Sequence, residues 1–460
     1  MGTDLNRRKF LKTGAAVGAG IAMSTATSFA KKNKKGESKT RIAFIGVGLR
    51  GRNHLRNILL RDDVHIPAIC DIDPGAVAAA NKMIAAHKHP EVVVYSKGEY
   101  DYLEMLKRDD IDGVIISTPW LWHTRMAVAT MKAGKHAGLE VSAANTIEEC
   151  WDLVNTHEQT GKHCMILENV CYRRDVMAVL NMVRDGLFGE MMHGRCGYLH
   201  DLREVKFNDG KRPYGGGVEF GEKGFSEAKW RTNHSLKRNG DVYPTHGLGP
   251  IAHMMDINRG NRFISLTSLA TKARGLHNYI VNHPNGGPNH PNAKLKWKQG
   301  DVITTTVETA MGETIIITHD CNLPRPYSLG FRVQGVNGLT DFDYYQQRIY
   351  IEGKSPAHRW EELDEYLKKY DHPLWAKWGE KAMDAGHGGM DFFVDNAFVE
   401  FIKRGEHPPM DAYDAAAWSA ITPLSEASIE NNGAPQEFPD FTRGRWVTNK
   451  PIFAINGDQY

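Results

Sequence analysis

Residues 41–51 read RIAFIGVGLRG. A short apolar run at 42–45 leads straight into Gly46-x-Gly48-x-x-Gly51, the pattern of a buried strand, a tight turn and the first turn of a helix. Gly46 permits the turn, Gly48 lets the main chain approach a pyrophosphate, and Gly51 lets the helix lie against the strand. The helix start, with Leu49 and Arg50 in the turn, offers free N–H groups and partial positive charge to phosphates. A second apolar run, Ile66-Pro67-Ala68-Ile69-Cys70, ends at Asp71, about twenty residues past the last glycine, where an acid holds ribose hydroxyls. An acid there favours NAD over NADP, whose 2′-phosphate it repels. Glycine-rich turns are common, but the strand before this one and the acid after it favour dinucleotide binding.

Outward from this stretch the pattern alternates. Strands are expected at 41–47, 66–72, 92–95, 113–117, 136–140 and 165–167, with helices near 51–60, 74–86, 100–107, 124–133 and 147–160. This predicts an α/β fold opening with a Rossmann domain, a doubly wound parallel sheet that takes its ligand at the carboxyl ends of its strands. Beyond about residue 188 strand-like stretches recur at 191–200, 263–271, 301–309, 314–320, 329–336 and 347–352 without regular crossover helices, the texture of an open, largely antiparallel sheet. Glycine- and proline-rich loops interrupt it, notably 215–217 and 282–292, and helical spacing returns at 391–403 and 411–431. The organisation expected is an N-terminal segment at 1–30, a linker at 31–40, a Rossmann domain at 41–170 and an α+β substrate domain at 171–460, its last helices packing back on the Rossmann domain.

The 460 residues carry 57 Lys and Arg against 55 Asp and Glu, and no basic patch is interleaved with aromatics, so a nucleic-acid partner is not expected. Six cysteines without CxxC spacing argue against a zinc ribbon, an iron–sulfur cluster or a disulfide scaffold, and buried thiols are expected. His277, His283 and His290 sit in a polar stretch read as a surface loop without metal-ligand spacing, so no metal is expected. At the N-terminus, Arg7-Arg8-Lys9-Phe10-Leu11-Lys12, a mild apolar stretch and Ser28-Phe29-Ala30 resemble a twin-arginine export signal with its cleavage site. This implies the twin-arginine machinery as partner, folding in the cytoplasm and a periplasmic destination.

Thr118-Pro119-Trp120-Leu121-Trp122-His123 closes the fourth expected strand, and Gly134 to Val141, GKHAGLEV, covers the fifth. With the glycine turn, these resemble the Gfo/Idh/MocA family of nicotinamide-dependent sugar oxidoreductases. Dehydrogenases of that family carry Glu-Lys-Pro after the fifth strand, the lysine moving the proton; here the residues are Glu140-Val141-Ser142, and valine can neither transfer a proton nor donate to a hydroxyl. Downstream, Lys229-Trp230-Arg231, the run YPTHGLGP from Tyr243 to Pro250, and Asp320-Cys321-Asn322-Leu323-Pro324-Arg325-Pro326-Tyr327 resemble glycoside hydrolase family 109.

That resemblance implies hydrolysis of terminal α-N-acetylgalactosaminides with retention and with NAD tightly bound, one per chain. The sugar is oxidised at C3, the C2 proton is lost with elimination of the anomeric oxygen, water adds, and the ketone is reduced again, with no net redox change. It also implies cofactor contacts at Leu49, Arg50, Asp71, Trp120, Leu121, Trp122, His123, Glu140, Val141 and Asn169. Substrate contacts are implied at Tyr198, Arg231, Tyr243, Pro244, Thr245, His246 and Tyr327, with Tyr243 and His246 as the catalytic proton carriers. Tyr243 and His246, three apart, share a face if the segment opens a helix. His387, among glycines, is a further candidate. The alternatives are a sugar dehydrogenase of the same fold and a non-catalytic NAD- or carbohydrate-binding protein. An open sheet leaves a face that a second copy covers, so a homodimer is expected.

Overall fold

The computed structural model describes residues 39–460. The export signal at 1–30 and all but the end of the linker at 31–40 lie outside the described residues, among which no helix is long and apolar enough to cross a membrane.

The first sheet contains β1 (Thr40–Ile45), β2 (Val64–His65), β3 (Ala68–Cys70), β4 (Val93–Tyr95), β5 (Gly113–Ile116), β6 (His136–Leu139) and β7 (Cys164–Ile166). Every pairing is parallel, in the order β4-β3-β1-β5-β6-β7 with β2 beside β1. The helices α1 (Leu49–Leu59), α2 (Pro74–Ala86), α3 (Asp101–Leu106), α4 (Trp120–Lys132) and α5 (Ile147–Thr160) make the crossovers. Local chemistry sets their ends. Asp73 caps α2 by accepting the N–H groups of Gly75 and Ala76, ahead of Pro74 at the first helical position. Thr146 caps α5, which stops at Gly161 with φ of 65°.

Two boundaries differ from expectation. The strand expected at 66–72 is shortened to β3, with a separate β2 just before it at 64–65, because Pro67 between them has no N–H to give the ladder. The helix expected from 124 begins at Trp120, since Pro119 sits at its N-cap with φ of −58° and there needs no donor. The chain runs from β1 outward to β4, then returns to β5 on the other side of β1. This reversal opens a crevice at the carboxyl ends of β1 and β5.

The second sheet is built from β8 (Met191–Leu199), β9 (Phe263–Ala270), β10 (Val302–Thr309), β11 (Thr314–Asp320), β12 (Arg332–Gly335), β13 (Gly338–Asp343), β14 (Gln346–Ile351), β15 (Glu361–Glu362) and β16 (Gln436–Glu437), in the order β15-β14-β13-β12-β8-β11-β10-β9-β16. Only the β8–β11 pair is parallel. The fold is the expected one, a Rossmann-like parallel sheet followed by an open, mostly antiparallel sheet. Along β10 the inward Ile303, Thr305 and Val307 are buried and the residues between them exposed, the period of a half-buried strand. β13, with sequence GLTDFD, is not anticipated, because glycine and two aspartates read as a turn.

Further helices are α6 (Arg174–Arg184), α7 (Arg231–Lys237), α8 (Thr245–Met254), α9 (Gly275–Asn282), α10 (Met390–Arg404), α11 (Ala412–Ser419) and α12 (Ile421–Glu430). His277 lies in α9 rather than in a loop, because Leu276 and Ile280, four apart, bury one face of the segment. α8 lies close on β8: a Cβ at Gly247 would come 2.6 Å from the Gly197 nitrogen. α10 covers the first sheet, where Cβ atoms on Gly113 and Gly138 would strike the Phe398 ring at 3.1 and 2.9 Å. His246 in the first turn of α8 borders the crevice, and Asp391 in the first turn of α10 reaches Arg50 of α1.

Candidate active site

A cleft of about 1570 Å³ runs from the crevice of the first sheet to the inner face of the second. Pockets for drug-sized molecules span about 300–1000 Å³, so there is room for a dinucleotide and a sugar together. The glycine turn forms its floor. Gly46 has φ of 86°, and a Cβ there would lie 2.7 Å from the Ser117 carbonyl. A Cβ on Gly51 would lie 2.1 Å from the Gly46 oxygen. Gly48 is different: it borders the cleft and a Cβ would meet nothing within 4 Å. Packing thus requires the outer two glycines, whereas the bareness of Gly48 leaves space for a ligand at the start of α1. Asp71 accepts the Val47 N–H at 2.8 Å and the Asp73 N–H at 2.9 Å, one on each carboxylate oxygen. A lone pair remains on each for ribose hydroxyls. Leu121 and Ile72 present exposed apolar side chains to this end of the cleft, suited to a flat base.

Beside the turn lies a charged network that the sequence does not reveal. Arg50 Nε lies 2.5 Å from Glu140 Oε1, and its Nη1 donates to Asp391 at 2.8 Å. His54 bridges Glu140 at 2.8 Å and Asp395 at 2.5 Å. Asn169 donates to Asp391 at 2.8 Å, and His387 reaches the same carboxylate at 2.7 Å. Burial works against charge on His54, but Asp395 and Glu140 together more than offset it and the imidazole is pushed up to about 9. Burial likewise pushes Glu140 and Asp391 up, but Arg50, with His54 and His387 respectively, holds both well below the usual carboxylate range. Arg50 and Glu140 therefore join turn to crossover through their side chains, and α10 enters the site through Asp391.

The expected cofactor residues divide. Trp120 to His123 open a helix rather than ending a strand. His123 is buried with both ring nitrogens 2.7 Å from backbone carbonyls, of Ser142 and Thr118, so it holds the β6 exit against α4. Trp122 packs its ring near Tyr100 and under Arg125. Val141, Asn169 and His387 border the cleft.

At the other end the aromatic residues converge. The Tyr243 ring lies 4.6 Å from that of Tyr198, 4.9 Å from that of His246 and 5.5 Å from that of Trp120. The Arg231 guanidinium sits over Trp120 at 4.9 Å and Tyr243 at 5.3 Å. Its Nε is 2.7 Å from Glu227 without the alignment of a hydrogen bond. Burial pushes the hydroxyls of Tyr243 and Tyr198 far up, with Arg231 pulling the other way, so both remain protonated donors. Tyr198 Oη lies 2.9 Å from His200 Nδ1.

His246, in the first turn of α8, places Nδ1 2.7 Å from Glu168 Oε1. A carboxylate only accepts, so Nδ1 carries a proton, and the neutral imidazole with that tautomer has its lone pair on Nε2. Glu168 is wholly buried, and its other oxygen has no partner among the described residues. Sequence reasoning passes over Glu168 although it adjoins Asn169; the signal is an acid directly after a buried strand. Pro244 and Thr245 are buried behind the wall, and Tyr327 stacks edge-on against His200 at 4.8 Å.

Residues 40–168 match the oxidoreductase family with an NAD-binding Rossmann fold, residues 172–448 the C-terminal domain of glycosyl hydrolase 109, and residues 4–24 the twin-arginine translocation signal sequence. The N-terminal match marks the chain for export by the twin-arginine route, in keeping with a periplasmic destination. A glycosyl hydrolase family 109 protein of Parabacteroides distasonis is 54% identical, with 98% of this chain and 99% of the relative covered. An alpha-N-acetylgalactosaminidase of Tannerella forsythia is 52% identical over the same shares. Among solved structures, levoglucosan dehydrogenase in complex with NADH and L-sorbose superposes with a TM-score of 0.62 at 18% identity, covering 87% of this chain and 99% of that one, and shares the fold. The glycine cradle fits the NAD that this Rossmann family binds. The chain belongs to glycosyl hydrolase family 109 and is a glycoside hydrolase carried on an NAD-binding Rossmann frame.

Proposed function

We propose that the protein is an exo-acting, retaining glycosidase that removes terminal α-N-acetylgalactosamine and keeps one NAD tightly bound through every turnover. The observation that carries the reading is the pairing of His246 with buried Glu168 beside Tyr243, in the cleft that Val141 also lines. A dehydrogenase needs a proton carrier where Val141 stands; here the carriers lie instead on the YPTH turn. The relative named alpha-N-acetylgalactosaminidase supports the choice of sugar.

NAD, when bound, supplies a reversible oxidant for C3 of the sugar and ends the cycle as it began. Gly48 and the start of α1 would hold its pyrophosphate, and Asp71 its adenosine ribose. Glu140, Val141 and Asn169 would border the reactive end, and Leu121 the base. The protein's own groups do the rest. Arg231 and the hydroxyls of Tyr198 and Tyr243 fix the sugar's oxygens. With C3 a ketone, the C2 proton is acidic, and His246 Nε2 takes it while Glu168 steadies the resulting imidazolium. Tyr243, held protonated by burial, donates to the C3 oxygen. Pro244, Thr245 and Tyr327 shape the wall behind these groups.

The test is release of the aryl group from an aryl α-N-acetylgalactosaminide by purified protein with no added nucleotide, with C2 proton exchange followed in deuterated water. Cleavage with exchange is expected. No cleavage, together with steady NADH production from a free sugar, would sink the hydrolase reading.

A further inference from the structure

A small cap stands beside the sugar end of the cleft. Phe207, Val218, Leu276, Ile280 and Ala293 form an apolar cluster separate from the main core, binding the 207–220 segment to α9 and the loop after it. Asn208 is its peg. The wholly buried amide accepts the N–H groups of Gly210 and Phe225 at 3.0 Å each, and donates to the carbonyls of Phe225 at 2.8 Å and Pro213 at 3.4 Å. A side-chain amide has two donors and two acceptor lone pairs, and here all four are used. The main chain at 210, 213 and 225 is thereby clamped at one point, and Gly215 and Gly216, with φ of 61° and 76°, turn the tip.

This clamped frame presents Tyr214 and Phe225, which are 53% and 38% exposed and border the same cleft as Arg231. Phe225 lies two residues before Glu227, whose carboxylate reaches Arg231. Glu204 and Asn233 border the cleft beside them. Two rings held out in water contribute nothing to either apolar cluster. Rings next to carboxylates and an amide suit a sugar, which has an apolar CH face and a rim of hydroxyls.

We propose that Tyr214 and Phe225 form an aglycone subsite, which stacks on the sugar next to the scissile bond and makes glycans better substrates than simple glycosides. This rests on the glycosidase reading above. The experiment compares kcat/KM of the purified holoenzyme for an oligosaccharide ending in α-linked N-acetylgalactosamine with that for methyl α-N-acetylgalactosaminide. The wild-type ratio should exceed one, and Tyr214→Ala and Phe225→Ala should each lower it by about fivefold. Tyr214→Phe, which keeps the ring, should preserve it, and Tyr214→Ser serves as a second truncation should the alanine variant fold poorly. A wild-type ratio at or below one, or a ratio indifferent to both truncations, overturns the subsite. Cleavage of neither substrate by the wild type is a failure of the glycosidase reading and removes the subsite with it.

Discussion

His54 lets one buried charge be weighed. It is fully buried between Glu140 and Asp395, and its folded value of about 9 lies above the ordinary 6.5. A raised histidine stabilises the fold fully below the unfolded value, and that contribution is lost as pH rises through the folded one. At about 1.4 kcal/mol per tenfold change, the span from 6.5 to about 9 gives about 3 kcal/mol. Lys206, which burial pushes down to about 8, changes stability with pH in the opposite direction, so the raw curve mixes several groups. The difference between wild type and His54→Gln isolates the one in question. Urea denaturation of both proteins from about pH 6 to about pH 10 should show the gap between them narrowing by about 3 kcal/mol. Parallel curves, or a gap that widens with pH, would refute the account of the Glu140–His54–Asp395 bridge.

Other outcomes follow from the same geometry. Gly48→Ala should keep the melting temperature of the nucleotide-free protein while losing at least about tenfold in NAD affinity, since its Cβ enters only the cleft; Gly51→Ala should cost about 3 kcal/mol or more, read by thermal melting, because its Cβ overlaps the Gly46 carbonyl. Glu140 and Asp391 are held low, so their contribution is present above about pH 4.5 and fades as pH falls; Arg50→Gln should flatten that acid limb in melting curves. His246→Ala should lower kcat at least about 100-fold with nucleotide content unchanged by absorbance, and Glu168→Gln by about tenfold.

The first sheet is legible because its strands are short apolar runs and, β2 aside, each is followed by a helix, so buried runs alternate with a 3.6-residue period. Two helix starts are legible too: α2 and α5 begin at the expected 74 and 147, behind the caps Asp73 and Thr146. Legibility fails where tertiary contact decides. α8 contains Gly247, Gly249 and Pro250, poor helix formers, and exists because close packing on Gly197 requires bare backbone. The site follows the same division. Gly46, Gly48 and Asp71 carry a local signal, and the YPTH turn is carried by resemblance. Arg50–Asp391 and His246–Glu168 join residues 341 and 78 positions apart. No spacing rule reaches that far.

α10 has a consequence for how the protein is made. It seals one face of the first sheet through Phe398 and supplies Asp391 and Asp395 to the glycine-turn helix, yet it lies more than 200 residues downstream of β7. During synthesis, at about 5–20 residues per second, the parallel sheet waits on the order of tens of seconds with that face bare. Its apolar side chains are then a target for holding chaperones, and Arg50 and His54 lack their carboxylate partners. The charged network beside the glycine turn is completed only when nearly the whole chain has left the ribosome. For a protein bearing a twin-arginine signal, that orders the steps: finish the chain, close the sheet, and only then leave the cytoplasm.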